Sequence, residues 1–440
     1  MLVHNMNRKN ILLLVIIGVI ILAVGSFFII RLSRGTVFVY NDDFSPDPTI
    51  SASMDEIEVQ VSQLRGLGIE SSIPRQLLSS QELRQVVLDD FLEGYSAEVE
   101  ERDAAVMNLF GFLPADFKLR DFYLDLYSEQ IAGFYDSVET EMFVISDSGF
   151  GGMERSTYAH EFVHTLQDEH FDFEEYLGFT DEACLDDSER CLALQSLIEG
   201  DATLTEQLWF QQYGTQQDMQ DLQNFATSYS SPVYDSAPAS LREALTFPYI
   251  YGGKFVQALY AQGGFEAIDA AYSKTNPVSS EQIMHPAAYP DDLPNNPTLP
   301  DLETALGEGW DEIVNDTVGE WYVYLVLAKA YDPQFRLYDS LALDAAEGWG
   351  GDAYAVLKNE QTGQFAAFIS LNWDTTEDAE NALEAFSNYS DLRFGQVNVD
   401  GYWQGSDYYS TLQQTSPGNF VWVLAQDLAT LQTLQAAIED

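Results

Sequence analysis

The chain has 440 residues, 71 of them acidic against 19 basic, for a formal net charge of −52. That surplus excludes nucleic acid as a partner, because phosphate binding needs clustered cations, and it argues against docking on an anionic lipid surface. A hydrophobic content of 46%, with 13% aromatic residues, excludes a disordered acidic tail and leaves enough apolar matter for a sizeable core.

The first predicted element is Ile11 to Ile30, 20 uncharged and mostly apolar residues. At about 1.5 Å per residue they match a bilayer core of about 30 Å. Arg8 and Lys9 precede the run, and Arg31 and Arg34 follow it. Residues 1–10 are too short to be a domain, and only 15 basic residues remain after Gly35. The reading is a single-pass anchor in the cell membrane with an extracytoplasmic body. A cleaved signal sequence ending near Ala23-Val24-Gly25, and hence secretion, is the alternative.

A polar linker (31–50) leads into helical periodicity. Ile57, Val61, Leu64 and Leu67 share one face; Pro74 opens a second helical stretch through Leu77, Leu78, Leu83 and Val86. Two more helices run to Gly111 and Ser128. Ile131–Tyr135 and Met142–Ile145 flank a polar turn and predict a β-hairpin. Helices are expected again near 192–212, 249–263 and 311–331, with a Pro-rich loop before the last. Beyond Asp332-Pro333, strands at 354–357, 365–369 and 420–424 and two helices predict a separate α+β module over 333–440. The fold class is therefore mainly α with a small hairpin or edge sheet (51–332), followed by that module.

Cys184 and Cys191 lie seven apart around Asp186-Asp187-Ser188. A straight helix would separate them by roughly 10 Å, too far for a disulfide. A bend at the polar centre allows a small closed loop; two free thiols are the alternative.

Three of the five histidines fall within Tyr158–His170. His160-Glu161-Phe162-Val163-His164 is an H-E-x-x-H pattern, which on a helix puts both imidazoles on one face within reach of one zinc ion. Glu161 then stands beside a water at that ion as general base. Such a site needs a third protein ligand, and there are two candidates. His170 has the spacing of the metzincin motif, but Gln167 replaces the glycine that would turn the chain, and a continuing helix carries His170 about 240° away. Glu199 lies on a later, largely apolar helix and is preferred. Asp168 and Asp201 are candidates to orient an imidazole. His285 is a candidate oxyanion donor, with Tyr249, Tyr251 and Tyr289 as alternatives. No Gly-rich nucleotide loop, Ser-His-Asp arrangement or Cys-His pair stands out.

The segment resembles gluzincin-type zinc metallopeptidases. More closely, it is similar to a group of prokaryotic membrane-anchored or secreted proteins through Ala132-Gly133-Phe134-Tyr135-Asp136, the Ala159–Asp168 run, Glu199-Gly200-Asp201-Ala202 and Glu281-Gln282-x-x-His285-Pro286. The module shares Trp349-Gly350-Gly351-Asp352 and Trp373-Asp374 with them. The resemblance implies a zincin-like α+β body, zinc held by His160, His164 and Glu199, and Glu161 as base. Two departures stand out: 34 residues separate His164 from Glu199, and Thr203 stands where better-known gluzincins carry an orienting Asp.

The expected function is hydrolysis of a peptide or protein substrate, held extended along the strand at Met142–Ile145. The competing expectation is a non-catalytic, metal-stabilised surface protein serving adhesion or partner binding.

Overall fold

The computed structural model describes residues 47–438 apart from 70, 71, 93 and 148. It is mainly helical with a C-terminal α+β module, as the patterning predicts. The expected membrane span (11–30) falls outside the described residues. Among those described, no helix is long and apolar enough to cross a membrane. The expectations of a transmembrane helix, of membrane attachment as a partner interaction and of single-pass localisation are therefore withdrawn.

Helix α1 (Pro48–Arg65) opens on an Asp47 cap with Pro48 in its first turn and ends at left-handed Gly66. The stretch after Pro74 is not helical at first. Arg75–Leu78 forms strand β1, and helix α2 (Ser80–Val86) starts only at the Ser79/Glu82 capping box. That box was present in the sequence and sets the boundary. Helices α3 (Ala97–Leu109) and α4 (Leu119–Gln130) lead to β2 (Gly133–Asp136) and β3 (Glu141–Ile145). Their sheet has the order β1-β3-β2, with β3 parallel to β1 and antiparallel to β2. Strand β3 is thus the inner strand, paired on both sides. It has no free edge for a substrate, which corrects the expectation for Met142–Ile145.

Helix α5 (Gly152–Phe171) is buried continuously from Ser156 to Gln167, between the small sheet, α1 and a long helix that follows. Helix α6 (Asp181–Asp186) breaks at Asp187, whose carboxylate caps α7 (Ser188–Tyr213). The break brings Cys184 and Cys191 to a Cα separation of 5.3 Å, joined in a disulfide.

Next come α8 (Gln216–Ser228), α9 (Pro232–Ser236), α10 (Ala239–Gly263), α11 (Phe265–Ser273) and α12 (Ser280–Met284). Helix α10 crosses α7 at Gly200 and Gly252, where a Cβ built on Gly252 would meet the Ser196 carbonyl oxygen at 2.1 Å. Backbone cannot retreat as a side-chain tip can. Gly252→Ala is therefore expected to cost at least about 1–3 kcal/mol, read as a lower urea midpoint; an unchanged midpoint would show that the crossing is slack.

After α13 (Leu302–Leu306) the expected helix at 311–331 is instead strand β4 (Trp310–Asp316) followed by α14 (Gly319–Ala328). Strand β4 pairs with β5 (Trp349–Asn359), so the module's sheet begins before the expected boundary at 333. Helix α15 (Asp339–Ala346) precedes β5. Strand β6 (Phe365–Trp373), helix α16 (Thr376–Phe394), strands β7 (Trp403–Gln404), β8 (Tyr409–Ser416) and β9 (Asn419–Ala425), and helix α17 (Leu428–Ala436) complete the chain. The six-stranded sheet is antiparallel, in the order β4-β5-β6-β9-β8-β7. Alternation along β9 sends Phe420, Trp422 and Leu424 to the face shared with α16 and the body. Val421, Val423 and Ala425 go to the face with α17. Phe110 packs edge-on to Tyr354 and tilted against Trp422. One core therefore runs from body to module.

Two buried carboxylates pin this junction. Asp352 accepts hydrogen bonds from the amides of Val318 (2.7 Å) and Gly319 (2.9 Å) and from the Trp349 indole (2.7 Å). Glu189, in the first turn of α7, accepts from the Ser280 amide and hydroxyl. Gly319 has φ +77, and a Cβ there would lie 2.2 Å from the Glu189 carboxylate, so only glycine fits. Burial pushes Asp352 up to about 6 and Glu189 up to about 8. In the unfolded chain both ionise near their ordinary values of about 4. Between about pH 4 and 8 the folded state therefore holds more protons, and stability falls as pH rises through that window. The thermal midpoint is expected to be lower at pH 8 than at pH 5; a midpoint that climbs over this range contradicts the assignment.

Candidate metal centre

His160 and His164 sit one turn apart on α5, ring centroids 4.8 Å apart, and Glu199 faces them from the middle of α7. Ligand atoms of the three lie within 4.8 Å of one another. Both Nε2 atoms turn toward Glu199 Oε2, at 3.2 Å for His160 and 3.7 Å for His164. The Nδ1 atoms turn outward: that of His164 is 2.9 Å from Gln167 Oε1, and that of His160 is 3.5 Å from Glu206 Oε2. The Gln167 acceptor at His164 Nδ1 favours the tautomer whose Nε2 lone pair points inward. Two imidazole nitrogens and one carboxylate oxygen are a donor set that first-row divalent ions take.

Gln167 is the hub of the support. Its amide donates to the Ile198 carbonyl, the Tyr272 hydroxyl and Asp201 Oδ2, each at 3.0 Å. Asp201 is held in turn by Arg65, with Nε at 2.9 Å, and both side chains are fully buried. Arg65 also reaches Asp269 at 2.6 Å. His164 is thus braced through Gln167 onto Asp201, while Glu206, fixed by Ser156, backs His160.

Glu161 is only 2% exposed, and burial pushes its carboxyl up to about 8, with Glu199 and Glu206 adding to the rise and His160 opposing it. Gly133 lies against it: a Cβ there would be 3.1 Å from Glu161 Cγ and 2.7 Å from Thr157 Cγ2. The missing side chain lets β2 run along the helix beside the Glu161 carboxyl. Because the Ile145 amide bonds to the Ala132 carbonyl, alternation turns the backbone groups of Gly133 and Tyr135 to the outer edge of β2.

Electrostatics in the trio are coupled. For His160, burial opposes charge, but hydrogen bonds to Glu199 and Glu206 outweigh it and hold the imidazole up to about 10. Burial, reinforced by the neighbouring His160 charge, pushes His164 well down. Burial raises Glu199, while His160 and the Tyr249 hydroxyl favour its ionised form.

The other expected residues lie elsewhere. His170 is exposed at the end of α5, its Nδ1 2.9 Å from the Leu166 carbonyl oxygen. Asp168 accepts from the Tyr135 hydroxyl and the Phe173 amide rather than from His164. His285 pairs through Nε2 with buried Glu320 at 2.8 Å. Its neighbour Ser280 bonds Glu189, ten residues before Glu199 on α7, a helical rise of about 15 Å. Of the hydroxyl candidates, Tyr249 stands beside His160 and Glu199.

Gln167, Glu206 and Arg65 were missed by the sequence reading. Gln167 carried a signal, three residues after His164 on the same helix face. Glu206, seven residues after Glu199, carried a weaker one. Arg65 carried none, since 136 residues separate it from Asp201.

Residues 306–435 match a family described as a domain of unknown function (DUF8575). No curated protein and no solved structure matches the chain. The matched segment begins just before β4, where the large sheet starts, and contains none of the trio.

Proposed function

We propose that this chain is a zinc-dependent peptidase whose metal is held by His160, His164 and Glu199, with Glu161 as general base. The observation that carries the reading is the convergence of two inward-facing imidazole nitrogens and one carboxylate, with the buried Glu161 carboxyl next to His160 on the same helix. Three protein donors leave a fourth position open, the pattern of catalytic rather than structural zinc. When bound, zinc polarises a scissile carbonyl and acidifies a water molecule. Glu161 takes a proton from the attacking water and delivers it to the departing amine. Glu206 and Gln167 keep both imidazoles oriented. An extended peptide would pair with the outer edge of β2 at Gly133 and Tyr135, which are buried in this structure. The acidic surface favours basic or neutral peptides, less so at high salt.

One observation favours a second reading, a metal-stabilised binding protein without turnover: His160, Glu161, His164 and Glu199 are each no more than 2% exposed. Metal analysis combined with a peptide-library digest separates the two. The proposal expects one zinc per chain and cleavage lost on chelation and restored by zinc. Stoichiometric zinc without cleavage of any library member favours the second reading.

A further inference from the structure

Outside the metal centre, a second group of acidic side chains meets where body and module join. Carboxylate oxygens of Glu281 on α12, Asp292 in the loop beyond it and Asp374 just after β6 lie within 4.8 Å of one another. Glu281 is 4% exposed, and its buried Oε2 has no hydrogen-bond partner. Glu320, 1% exposed, engages His285 through Oε1 and likewise leaves Oε2 buried and unpartnered. Among the described residues, no lysine or arginine pairs with any of the three converging carboxylates.

A buried carboxyl without a partner either keeps its proton, as burial and the neighbouring Glu320, Asp292 and Asp374 favour for Glu281, or is ionised and compensated by a cation. Oxygens bound to one calcium ion at about 2.3–2.6 Å lie at most about 5.2 Å apart. The observed spread of 4.8 Å is within that reach. All three donors are hard carboxylate oxygens, with no imidazole or thiolate, which selects calcium-like ions over zinc. The surrounding chain fixes the donors. The Gln282 amide holds the Asp292 carbonyl at 2.5 Å, and the Asp374 amide bonds the Gly348 carbonyl. The Glu281-Gln282-x-x-His285 motif meets here: Glu281 is one of the converging carboxylates, Gln282 positions the loop, and His285 pairs with Glu320.

We propose that Glu281, Asp292 and Asp374 form a calcium site that clamps the 280–292 segment to the end of β6 in the C-terminal module. The site stands apart from the zinc reading and does not depend on it. Binding to the folded form alone raises stability in proportion to ligand saturation.

The test is calorimetric titration of the chelator-stripped full chain with calcium chloride at physiological salt, alongside thermal unfolding with and without calcium. One saturable calcium per chain and a raised unfolding midpoint are expected. Asp374→Asn, at an exposed position, and Asp292→Asn are each expected to weaken Kd about tenfold or more and to abolish most of the midpoint rise. Prior saturation with zinc is expected to leave the calcium isotherm in place. Failure of the parent chain to bind at millimolar calcium overturns the proposal. So does an unchanged Kd in both variants, or loss of the isotherm on zinc loading.

Discussion

Glu161→Gln is expected to abolish peptide hydrolysis while leaving one zinc per chain. The amide keeps the size of the carboxyl, so its fit beside Gly133 should survive. What disappears is the capacity to take and return a proton, an effect on the order of 10²–10⁴ in rate for a positioned acid–base group. The three proposed ligands are untouched, so metal content serves as an internal control. Zinc measured by mass spectrometry should match the parent while turnover of a fluorogenic peptide falls at least a hundredfold, roughly. Turnover within a few-fold of the parent would remove Glu161 from the chemistry.

The second large effect lies in the support behind His164. Arg65 closes α1, and its guanidinium meets Asp201 on α7 and Asp269 on α11 and lies over the Phe265 ring at 4.7 Å. Arg65→Met leaves Asp201 fully buried without its counter-charge. Breaking one side of such a pair typically costs about 3–5 kcal/mol. Chemical denaturation should show a loss of that order. Asp201→Asn in the same chain should recover part of it, because the stranded charge is then gone. The same variant should weaken zinc binding about 10–100-fold, since Gln167 loses the anchor through which it orients His164. A drop below about 1 kcal/mol would mean that water or a shifted side chain replaces the guanidinium.

Legibility in the sequence followed the range of the interactions. The H-E-x-x-H helix and the hairpin were readable because helix and strand periodicities are local. Strand β1 was misread as helix because Leu77 and Leu78 suit either period, and the decisive signal, the Ser79/Glu82 box, marks only where the helix begins. The region 311–331 divides between Asp316, the last residue of β4, and Gly319, whose positive φ opens α14. Apolar content alone did not reveal that division. Strands β7 and β8 escaped notice because β8 is polar toward its end and draws its order from pairing with β9. Glu199 was found as a charge in an apolar helix. Arg65, the partner of Asp201, was not, because a contact across 136 residues leaves no trace in local pattern. The pairing of His285 with Glu320 was unreadable for a related reason: a lone histidine declares its chemistry but not its partner.

The pairing of β4 with β5 bears on how the matched segment can be excised. A fragment cut at 333 would lose β4 and bare the long, apolar strand β5 as a raw sheet edge, an invitation to edge-to-edge aggregation. Starting ahead of Trp310 keeps that edge covered, yet still strips Phe110 from its place against Tyr354 and Trp422. Recombinant fragments of this region should therefore be judged by their solubility, with the longer one behaving better and neither matching the intact chain.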